Sequence, residues 1–348
     1  MPAEYQPHQP ERGPRFAGRF LFRASSGSMR LMAILRFTAL VNAQLTLQYG
    51  TTSPPMKALY DRAITEQWNP DSAIDWKIEV NFGSRLPASS NFSYRSFLQS
   101  PMAPYGRPMW DTFRWEFQAW LISQFLHGEQ GALLAAARLV ETAPELDSKY
   151  CAASQVTDEA RHTDVFSRYL RDNIPEPYPI SSGLEHLLLD TLADSRWDIV
   201  MLGMHLVIEA IALATFRLAS DVFHDELARS IVRLVARDEA RHLSYGVLAL
   251  DGFYAQLSAP ELRDREDFVL EAAQLMGRRF LLEDIWERLG IDPGEGREFA
   301  KGSELMVLFR QAIFAKVVTS LRRVGLLTAN VRSGLAKQGL VSATARLR

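Results

Sequence analysis

The sequence predicts an all-α protein in which a four-helix bundle is accompanied by flanking helices. The pentapeptide Asp-Glu-Ala-Arg-His occurs twice, at 158–162 and at 238–242, and a lone glutamate stands in an apolar run before each copy. Such a repeat predicts two similar helical hairpins. Apolar residues recur at helical spacing over four long stretches, at 109–142, 146–173, 187–221 and 225–257.

The repeat has one constant offset. The lone glutamates at 129 and 209, the motif glutamates at 159 and 239, and the motif histidines at 162 and 242 are each 80 residues apart. A glutamate and a histidine three residues apart lie on one face of a helix, because three steps nearly complete a turn. The candidate ligands are therefore Glu129, Glu159, His162, Glu209, Glu239 and His242.

The predicted turns test whether these side chains can meet. If the hairpins turn near Ala143 and near His224, each ligand helix carries its glutamate about 15 residues from the turn, or roughly 22 Å along the helix. All six side chains can then converge in the middle of one bundle. One Glu from each of two helices and Glu-x-x-His from the other two form the ligand set of di-iron and di-manganese bundles.

A metal site must be weighed against an ordinary solvated helix face, where a single Glu-x-x-His is common. Glu209 lies in a run of Leu, Val, Ile and Ala, where an unpaired carboxylate would be costly, and a cation removes that cost. Carboxylate-rich ligation favours iron, with manganese second, over zinc. We expect Glu129, Glu159 and His162 chiefly at one metal and the other three ligands at the second, with one or two glutamates bridging.

Neighbouring residues have predicted roles of their own. Asp158 and Asp238 point about 100° away from the ligands around the helix, so they are expected to accept the second ring proton of a ligand histidine on a neighbouring helix. Arg161 and Arg241 are their expected partners, the alternative being surface ion pairs. A substrate pocket is predicted on the ligand faces, at Phe125, Leu133, Gln155, Phe166, His205, Leu213, Phe216 and Val235.

His205 has two interpretations, because it precedes Glu209 by one turn. It could be an extra ligand or proton carrier, or a hydrogen-bonded core histidine, and the second is the more common situation.

The rest of the chain is expected to surround the bundle. Residues 1–28 carry four arginines among Pro, Gly and Ser. Residues 29–108 contain predicted helices at 29–48 and 54–68, followed by an aromatic-rich stretch at 70–108 that could cover one mouth of the site. The predicted organisation is a mobile basic arm at 1–28, N-terminal helices and the cover at 29–108, the bundle at 109–257, flanking helices at 258–330 and a tail at 331–348.

Composition limits the function classes. The 348 residues carry a net charge of -2, which gives no indication of nucleic-acid binding, and the single cysteine, Cys151, excludes an internal disulfide framework and fits a reducing cytoplasm. The apolar run 197–216 contains Asp198, His205 and Glu209, so a buried bundle helix explains it better than a membrane span.

The motif pair resembles the ferritin-like di-iron oxygenases, and within them most closely the p-aminobenzoate N-oxygenase family, whose signature is a glutamate followed about thirty residues later by Asp-Glu-x-x-His, twice. Where that family has a further histidine one turn before the second motif's glutamate, this chain has Val235, and Gln155 or His205 could compensate. In the related ribonucleotide reductase small subunit a radical tyrosine occupies the position of Phe166, so radical storage is not expected. The resemblance implies two ferrous ions, dioxygen activation and N-oxygenation of an amine, hydroxylamine or hydrazine in natural-product biosynthesis.

Other functions remain open at this point. A di-iron C-H hydroxylase or desaturase would use the same site, and a ferritin-like iron-handling protein would hold the metals as cargo. Electrons are expected from a separate reductase or ferredoxin, since no Gly-rich fingerprint for a bound flavin or nicotinamide is present. A homodimer is expected by analogy with related bundles.

Overall fold

The computed structural model describes residues 37–342, and within them the chain forms helices and loops with no β-strand. The all-α prediction is therefore confirmed. The chain divides into two units, Met1–Thr38 and Ala39–Arg348, and the description below concerns the second. The predicted basic arm at 1–28 and the end of the tail at 343–348 lie outside the described residues.

Four long helices form the bundle. Two of them, α4 (Gly106–Thr142) and α5 (Leu146–Asn173), make the first hairpin, with a turn at Ala143 and Pro144 as expected, because proline cannot continue a helix. The second hairpin turns at 223–225, where the Asp225 side chain accepts a hydrogen bond from Ala228 N at 2.7 Å and caps the next helix. The bundle comprises α4 (Gly106–Thr142), α5 (Leu146–Asn173), the continuous helix Trp197–Val222 and α9 (Glu226–Ala249).

The continuous helix Trp197–Val222 changes its winding along its length. It begins as α7 (Trp197–Met201), continues as a π-helix over Leu202–Glu209, and ends as α8 (Ala210–Val222). By length and composition it could span a membrane, but 89% of its most apolar window is buried inside the protein, which agrees with a core helix. The π-helical turn was not predicted, and such turns are frequent at functional sites.

Two of the predicted bundle helices have boundaries in the structure that differ from the predicted ones. The expected helix at 187–221 is wrong in its first part, because α6 (Ser182–Ala193) is separate and packs on α4 and on α10 (Ala259–Arg279). Helix α6 ends at Ala193. The next residue, Asp194, accepts hydrogen bonds from the backbone and side chain of Arg196, which competes with continuation of the helix. The expected helix at 225–257 stops at Ala249, before Gly252 with its positive φ of 70°.

The flanking helices are more broken than predicted. The expected helix at 259–289 is divided at Leu282, whose φ of 61° is left-handed, and the expected helix at 296–325 is divided at the extended Ser303. A further helix, α14 (Ala329–Lys337), extends into the predicted tail and packs on α10, and its Val331 and Leu335 are buried. The observed helices are α10 (Ala259–Arg279), α11 (Glu283–Arg288), α12 (Pro293–Gly302), α13 (Glu304–Arg323) and α14 (Ala329–Lys337).

The N-terminal part also differs from the prediction. Of the expected helix at 29–48, the described residues from 37 onward are not helical, and Leu40, Leu45 and Leu47 are exposed, so no buried apolar face supports a helix there. The next predicted helix is present as α1 (Pro54–Thr65), which packs on α5 and α9.

The aromatic-rich segment 70–108 packs on the bundle helices, for example through Trp76, whose ring lies 3.9 Å from the Arg168 guanidinium on α5. It contains the short helices α2 (Pro70–Ala73) and α3 (Asn91–Leu98). Phe82 contacts Trp115 with ring centroids 5.4 Å apart, at the beginning of α4. Glu129 is about 20 Å further along that helix at 1.5 Å per residue. The Phe82 contact is therefore far from the candidate ligands, and a cover over the site stays a prediction.

Candidate metal centre

The four bundle helices bring all six candidate ligands into one buried cluster. Glu129 comes from α4, the first motif from α5, Glu209 from the last position of the π-helix, and the second motif from α9. None of the six is more than 5% exposed. The duplicated hairpins thus give the cluster an approximate internal symmetry, with one Glu and one Glu-x-x-His from each.

The ligand atoms form two groups, and the carboxylate of Glu159 belongs to both. Glu129, Glu159, His162 and Glu239 form one group, and Glu159, Glu209 and His242 form the other.

The two motif glutamates lie between the histidines. Glu159 has its oxygens 3.4 Å from Nδ1 of His162 and 3.1 Å from Nδ1 of His242. Glu239 Oε1 is 3.3 Å from each of the same two nitrogens. Glu159 and Glu239 are therefore placed to bridge, whereas Glu129, 3.2 Å from His162 Nδ1, belongs to one side and Glu209 to the other.

The cluster has buried lone-pair atoms that no protein group satisfies. One carboxylate oxygen each of Glu159, Glu209 and Glu239, and Nδ1 of His242, lack a hydrogen-bond partner. Leaving such atoms unpaired in a dry interior is costly. A pair of divalent cations satisfies them, and a donor set of oxygens and two imidazoles with no sulfur suits iron or manganese. The cluster is thus able to bind two metal ions.

Burial and the charges of neighbouring residues also shift the pKa values of the candidate ligands. Burial, reinforced by Glu239 and Glu159, raises the pKa of Glu129 well above its usual value, and burial does the same to the pKa of Glu209. Burial opposes protonation of His162 and His242, yet the surrounding carboxylates raise the pKa of both rings well above normal. Without cations, protons compensate the carboxylates, and bound metal would replace them.

The aspartate of each motif contacts the histidine of the other motif across the bundle. Nε2 of His162 lies 3.1 Å from Oδ2 of Asp238, and Nε2 of His242 lies 3.1 Å from Oδ2 of Asp158, which are the contacts expected from the sequence. Each ring therefore donates from Nε2 and keeps Nδ1 directed at the carboxylates.

The two arginines connect these aspartates. Arg161 donates to both Asp158 and Asp238, and so does Arg241. Although burial favours the neutral acid, the histidine hydrogen bonds and nearby positive charges lower the pKa of both aspartates. The pairs are buried and join the two motifs, so they are not surface ion pairs.

The residues just after α1 cover this network, which the sequence did not indicate. Trp68 Nε1 donates to Asp238 Oδ2 at 2.7 Å, and Gln67 Nε2 donates to Asp158 Oδ1 at 3.0 Å. The Arg161 guanidinium lies 4.7 Å from the centroid of the Trp68 ring. The two residues lie more than 90 positions from their partners in the chain, and no local motif marks them.

Gln155 and His205 form a second support on the other side of the cluster. Gln155 Nε2 donates to Glu159 at 2.9 Å and to Glu209 at 2.7 Å, while its Oε1 lies 2.8 Å from Nε2 of His205. His205 Nε2 is 3.9 Å from Glu209, and burial lowers the pKa of His205 to about 3, so the ring is neutral. His205 belongs to neither ligand group and acts through the amide.

A cavity of about 30 Å³ reaches the cluster at Glu129, Glu209 and Glu239. Small side chains, Gly128 and Ala212 among them, leave this space open.

Of the predicted pocket, only Phe125 lines this cavity. Two of the other predicted residues pack on Phe125: the rings of Phe125 and Phe216 have centroids 4.4 Å apart, and Phe166 lies against both. Gln155 lines a separate cavity of about 10 Å³ beside His242. The predicted residues that do not line the main cavity are Leu133, Gln155, Phe166, His205, Leu213, Phe216 and Val235.

Comparison with known proteins gives distant likenesses. No protein-family model and no curated protein matches the chain. A variant of an R2-like ligand-binding oxidase with an anaerobically reconstituted Mn/Fe cofactor is 15% identical, with a TM-score of 0.46 over 77% of this chain and 93% of that one. An R2-like ligand-binding oxidase with an aerobically reconstituted Mn/Fe cofactor is 16% identical, with a TM-score of 0.39 over 83% of this chain and 93% of that one. Likenesses at this level say nothing of this chain's activity.

Proposed function

We propose that the chain is a dioxygen-dependent oxidoreductase with a non-haem di-iron centre, and that it oxidises a small substrate at nitrogen. The observation that carries this proposal is the buried cluster of four glutamates and two histidines, in which Glu159, Glu209 and Glu239 each have an unpartnered carboxylate oxygen. Manganese, alone or with iron, is the second choice of metal. The resemblance to the p-aminobenzoate N-oxygenases supports the choice of nitrogen.

The chain's own residues would hold and orient the metals. Glu129 and His162 would hold one metal, Glu209 and His242 would hold the other, and Glu159 and Glu239, which lie between the two histidines, would serve both. Asp158 and Asp238 fix the tautomer of the opposite histidine, and Gln155 fixes two carboxylates. When bound, two ferrous ions supply the electrons and open positions needed to activate dioxygen.

The overall reaction balances with an external donor. An amine, dioxygen, two electrons and two protons give a hydroxylamine and water, so one oxygen atom reaches nitrogen and the other leaves as water. The electrons are proposed to come from a reductase or ferredoxin. A homodimer in the cytoplasm is the proposed setting.

A second candidate reaction, C-H hydroxylation or desaturation, is favoured by the apolar character of the cavity wall. Leu121, Phe125, Ile208 and Ile211 line it, and a hydrocarbon chain fits such a surface. A ferritin-like role in iron handling would use the same ligands without a substrate.

Anaerobic loading with ferrous iron followed by exposure to dioxygen separates these possibilities. The proposal predicts about two irons per chain and a transient visible absorption whose decay is accelerated by one member of a panel of amines, hydroxylamines and hydrazines. Acceleration only by hydrocarbon or acyl compounds would favour the second reaction, and decay indifferent to every compound would favour iron handling.

The Glu159→Ala variant provides the matched test of the centre. It removes a bridging carboxylate and should fold but retain little iron, whereas Glu271→Ala, at an exposed glutamate on α10, should retain both irons. Full iron content in Glu159→Ala, measured by metal analysis after desalting, would contradict the proposed centre.

A further inference from the structure

Residues 41–49, here called the alternating segment, carry a strand pattern in a protein whose regular structure is helical. Val, Ala, Leu, Leu and Tyr stand at its odd positions, and Asn, Gln, Thr and Gln stand at its even positions. Alternation with a period of two places all the apolar side chains on one face of an extended strand. The segment is not helical, and residues 37–342 contain no β-strand with which it could pair. It therefore has the sequence of a half-buried strand without a sheet.

The apolar face of the alternating segment is exposed. Leu45 is 88% exposed, and Leu47 and Tyr49 are each 74% exposed. Single exposed apolar residues are ordinary, but a contiguous exposed apolar surface marks an interaction site. The burial that normally stabilises such a strand must therefore come from another molecule or another part of the chain.

The backbone of the segment is anchored along one edge only. Gln44 N donates to the carbonyl of Glu141, at the end of α4, at 2.7 Å, and Gln48 N lies 3.5 Å from Oγ1 of Thr46. Within residues 37–342, the N–H groups at the five odd positions have no acceptor. Because the N–H groups of successive residues in a strand point to opposite edges, the odd positions form an open edge. An edge of this kind is a template for pairing with another strand.

No residue of the segment opposes pairing with a copy of itself. Exposed edge strands usually carry a charge or a proline that blocks such pairing. Residues 38–53 contain neither a charged side chain nor a proline. In an antiparallel pair of identical alternating strands, each apolar residue lies opposite another apolar residue, which stabilises the pair. The segment is therefore complementary to itself.

We propose that the alternating segments of two copies of this chain pair as an antiparallel two-stranded ribbon. The pair is centred on Leu45, so that Leu45 lies opposite its equivalent, Ala43 lies opposite Leu47, and Val41 lies opposite Tyr49. A two-fold axis then relates the copies, as in most homodimers. The inference rests on the homodimer of the proposed function and gives it an interface, but it does not depend on the metal centre.

The contact is large enough for a specific dimer. The backbone of nine residues and four large side chains from each copy would remove on the order of 1,000 Å² from water, which is near the lower limit for a specific interface. An isolated two-stranded ribbon is only marginally stable, so its apolar face needs a further surface. Leu134 provides one, because it is 47% exposed and lies two turns before Glu141 on the same face of α4.

Disulfide trapping tests the pairing and its register. Directly opposite residues in a hydrogen-bonded antiparallel pair have Cα atoms about 5.5 Å apart, which a disulfide can span. Leu45→Cys should therefore give a covalent dimer of the full chain under mild oxidation. Tyr49→Cys is the matched control, because its two copies would be roughly 26 Å apart at about 3.3 Å per residue and should not cross-link. The native Cys151 is buried and is present in both variants.

Light scattering on the full chain, at several concentrations, measures the association itself. We expect the mass of two chains for the unaltered protein and of one chain for the double variant Leu45→Lys, Leu47→Lys, because like charges then lie opposite each other. Ile64→Lys, at an exposed residue on α1, is the control and should remain dimeric. Circular dichroism and iron content establish that each variant is folded and loaded.

Three outcomes overturn the inference. They are a chain that is monomeric at every concentration, a dimer that the double lysine variant leaves intact, and equal cross-linking of Leu45→Cys and Tyr49→Cys. Protection of the segment's amides from hydrogen exchange in a monomer would show that the segment pairs within its own chain instead. Any of these results with iron binding and dioxygen chemistry intact refutes only this inference, whereas a dimer paired through the segment that binds no iron refutes only the proposed centre.

Discussion

At the scale of single residues, the orientation of the two ligand histidines depends on groups that are not themselves candidate metal ligands. Each ligand ring is held by the aspartate of the other motif at 3.1 Å, and that aspartate is held by both motif arginines. This arrangement keeps each Nδ1 free for a cation. Orientation by such outer partners commonly changes metal affinity by about 10- to 100-fold.

Gln155 is the residue where this dependence is most directly tested. Gln155→Leu keeps the approximate volume but removes two hydrogen bonds to Glu159 and Glu209 and leaves Nε2 of His205 without its acceptor. We expect manganese affinity to fall about 10- to 100-fold, and the free energy of unfolding to fall by about 1–3 kcal/mol.

Calorimetric titration with manganese and urea denaturation measure the two effects. Gln274→Leu, at an exposed glutamine on α10, is the control and should change neither by a comparable amount. Unchanged metal affinity in Gln155→Leu would show that the amide only fills space.

The residues predicted from the sequence are those with a repeat to identify them. The six candidate ligands, Asp158 and Asp238, and their arginines come from duplicated motifs at a fixed offset, so their convergence could be foreseen. Trp68 and Gln67 occur once, and only the packing of α1 against the bundle brings them to the site. Their positions depend on long-range contacts that no local pattern encodes.

At the scale of helices, the close approach of α9 to the π-helix positions the supporting groups. A Cβ at Gly246 would lie 2.5 Å from Cβ of His205 and 3.1 Å from Leu206 Cδ1, so only glycine allows these helices to approach so closely. His242 is one turn before Gly246 on α9. The distance between the two helices therefore affects the positions of both His205 and His242.

Gly246→Ala should therefore destabilise the protein. Overpacking at this contact is expected to lower the free energy of unfolding by about 1–3 kcal/mol, as measured by urea denaturation. Gly128→Ala is the matched control on α4, because no atom lies within 4 Å of its added Cβ, and it should be neutral or stabilising by about 0.5–1 kcal/mol. Equal effects of the two substitutions would be evidence against a tight α9 contact.

Helix boundaries were predictable where the chain has a strong local signal. Pro144 and the capping Asp225 mark the two hairpin turns, which fall where the sequence placed them. The division at Leu282 was not predictable, because a left-handed leucine has no sequence signature and is held by the surrounding packing. The π-helix likewise follows from packing around Glu209 and not from residue type.

At the scale of the whole molecule, the bundle interior concentrates buried carboxyl groups around the candidate metal centre. Glu129 and Glu209 have pKa values raised by burial, and the two histidines have pKa values raised by the carboxylates. Cations must displace the protons that these groups hold. Metal binding is therefore linked to pH through the cluster as a unit.

This linkage gives a prediction with a defined sign. A group with a raised pKa keeps its proton to higher pH, so metal affinity should increase as pH rises from about 5.5 to 7.5, by up to about tenfold per pH unit for each proton displaced. Manganese titrations at several pH values, with circular dichroism to show that the fold persists, measure this. Affinity that is constant or increases toward acid would contradict the linkage.

The central claim is that two metal ions occupy the middle of the bundle between the motif glutamates. Anomalous diffraction at the iron edge, from crystals of the anaerobically loaded protein, tests it most directly. The account predicts two iron peaks per chain, both in contact with Glu159 and Glu239, one beside His162 and the other beside His242. A cluster whose carboxylates hold no iron, or iron bound only at the protein surface, would contradict it.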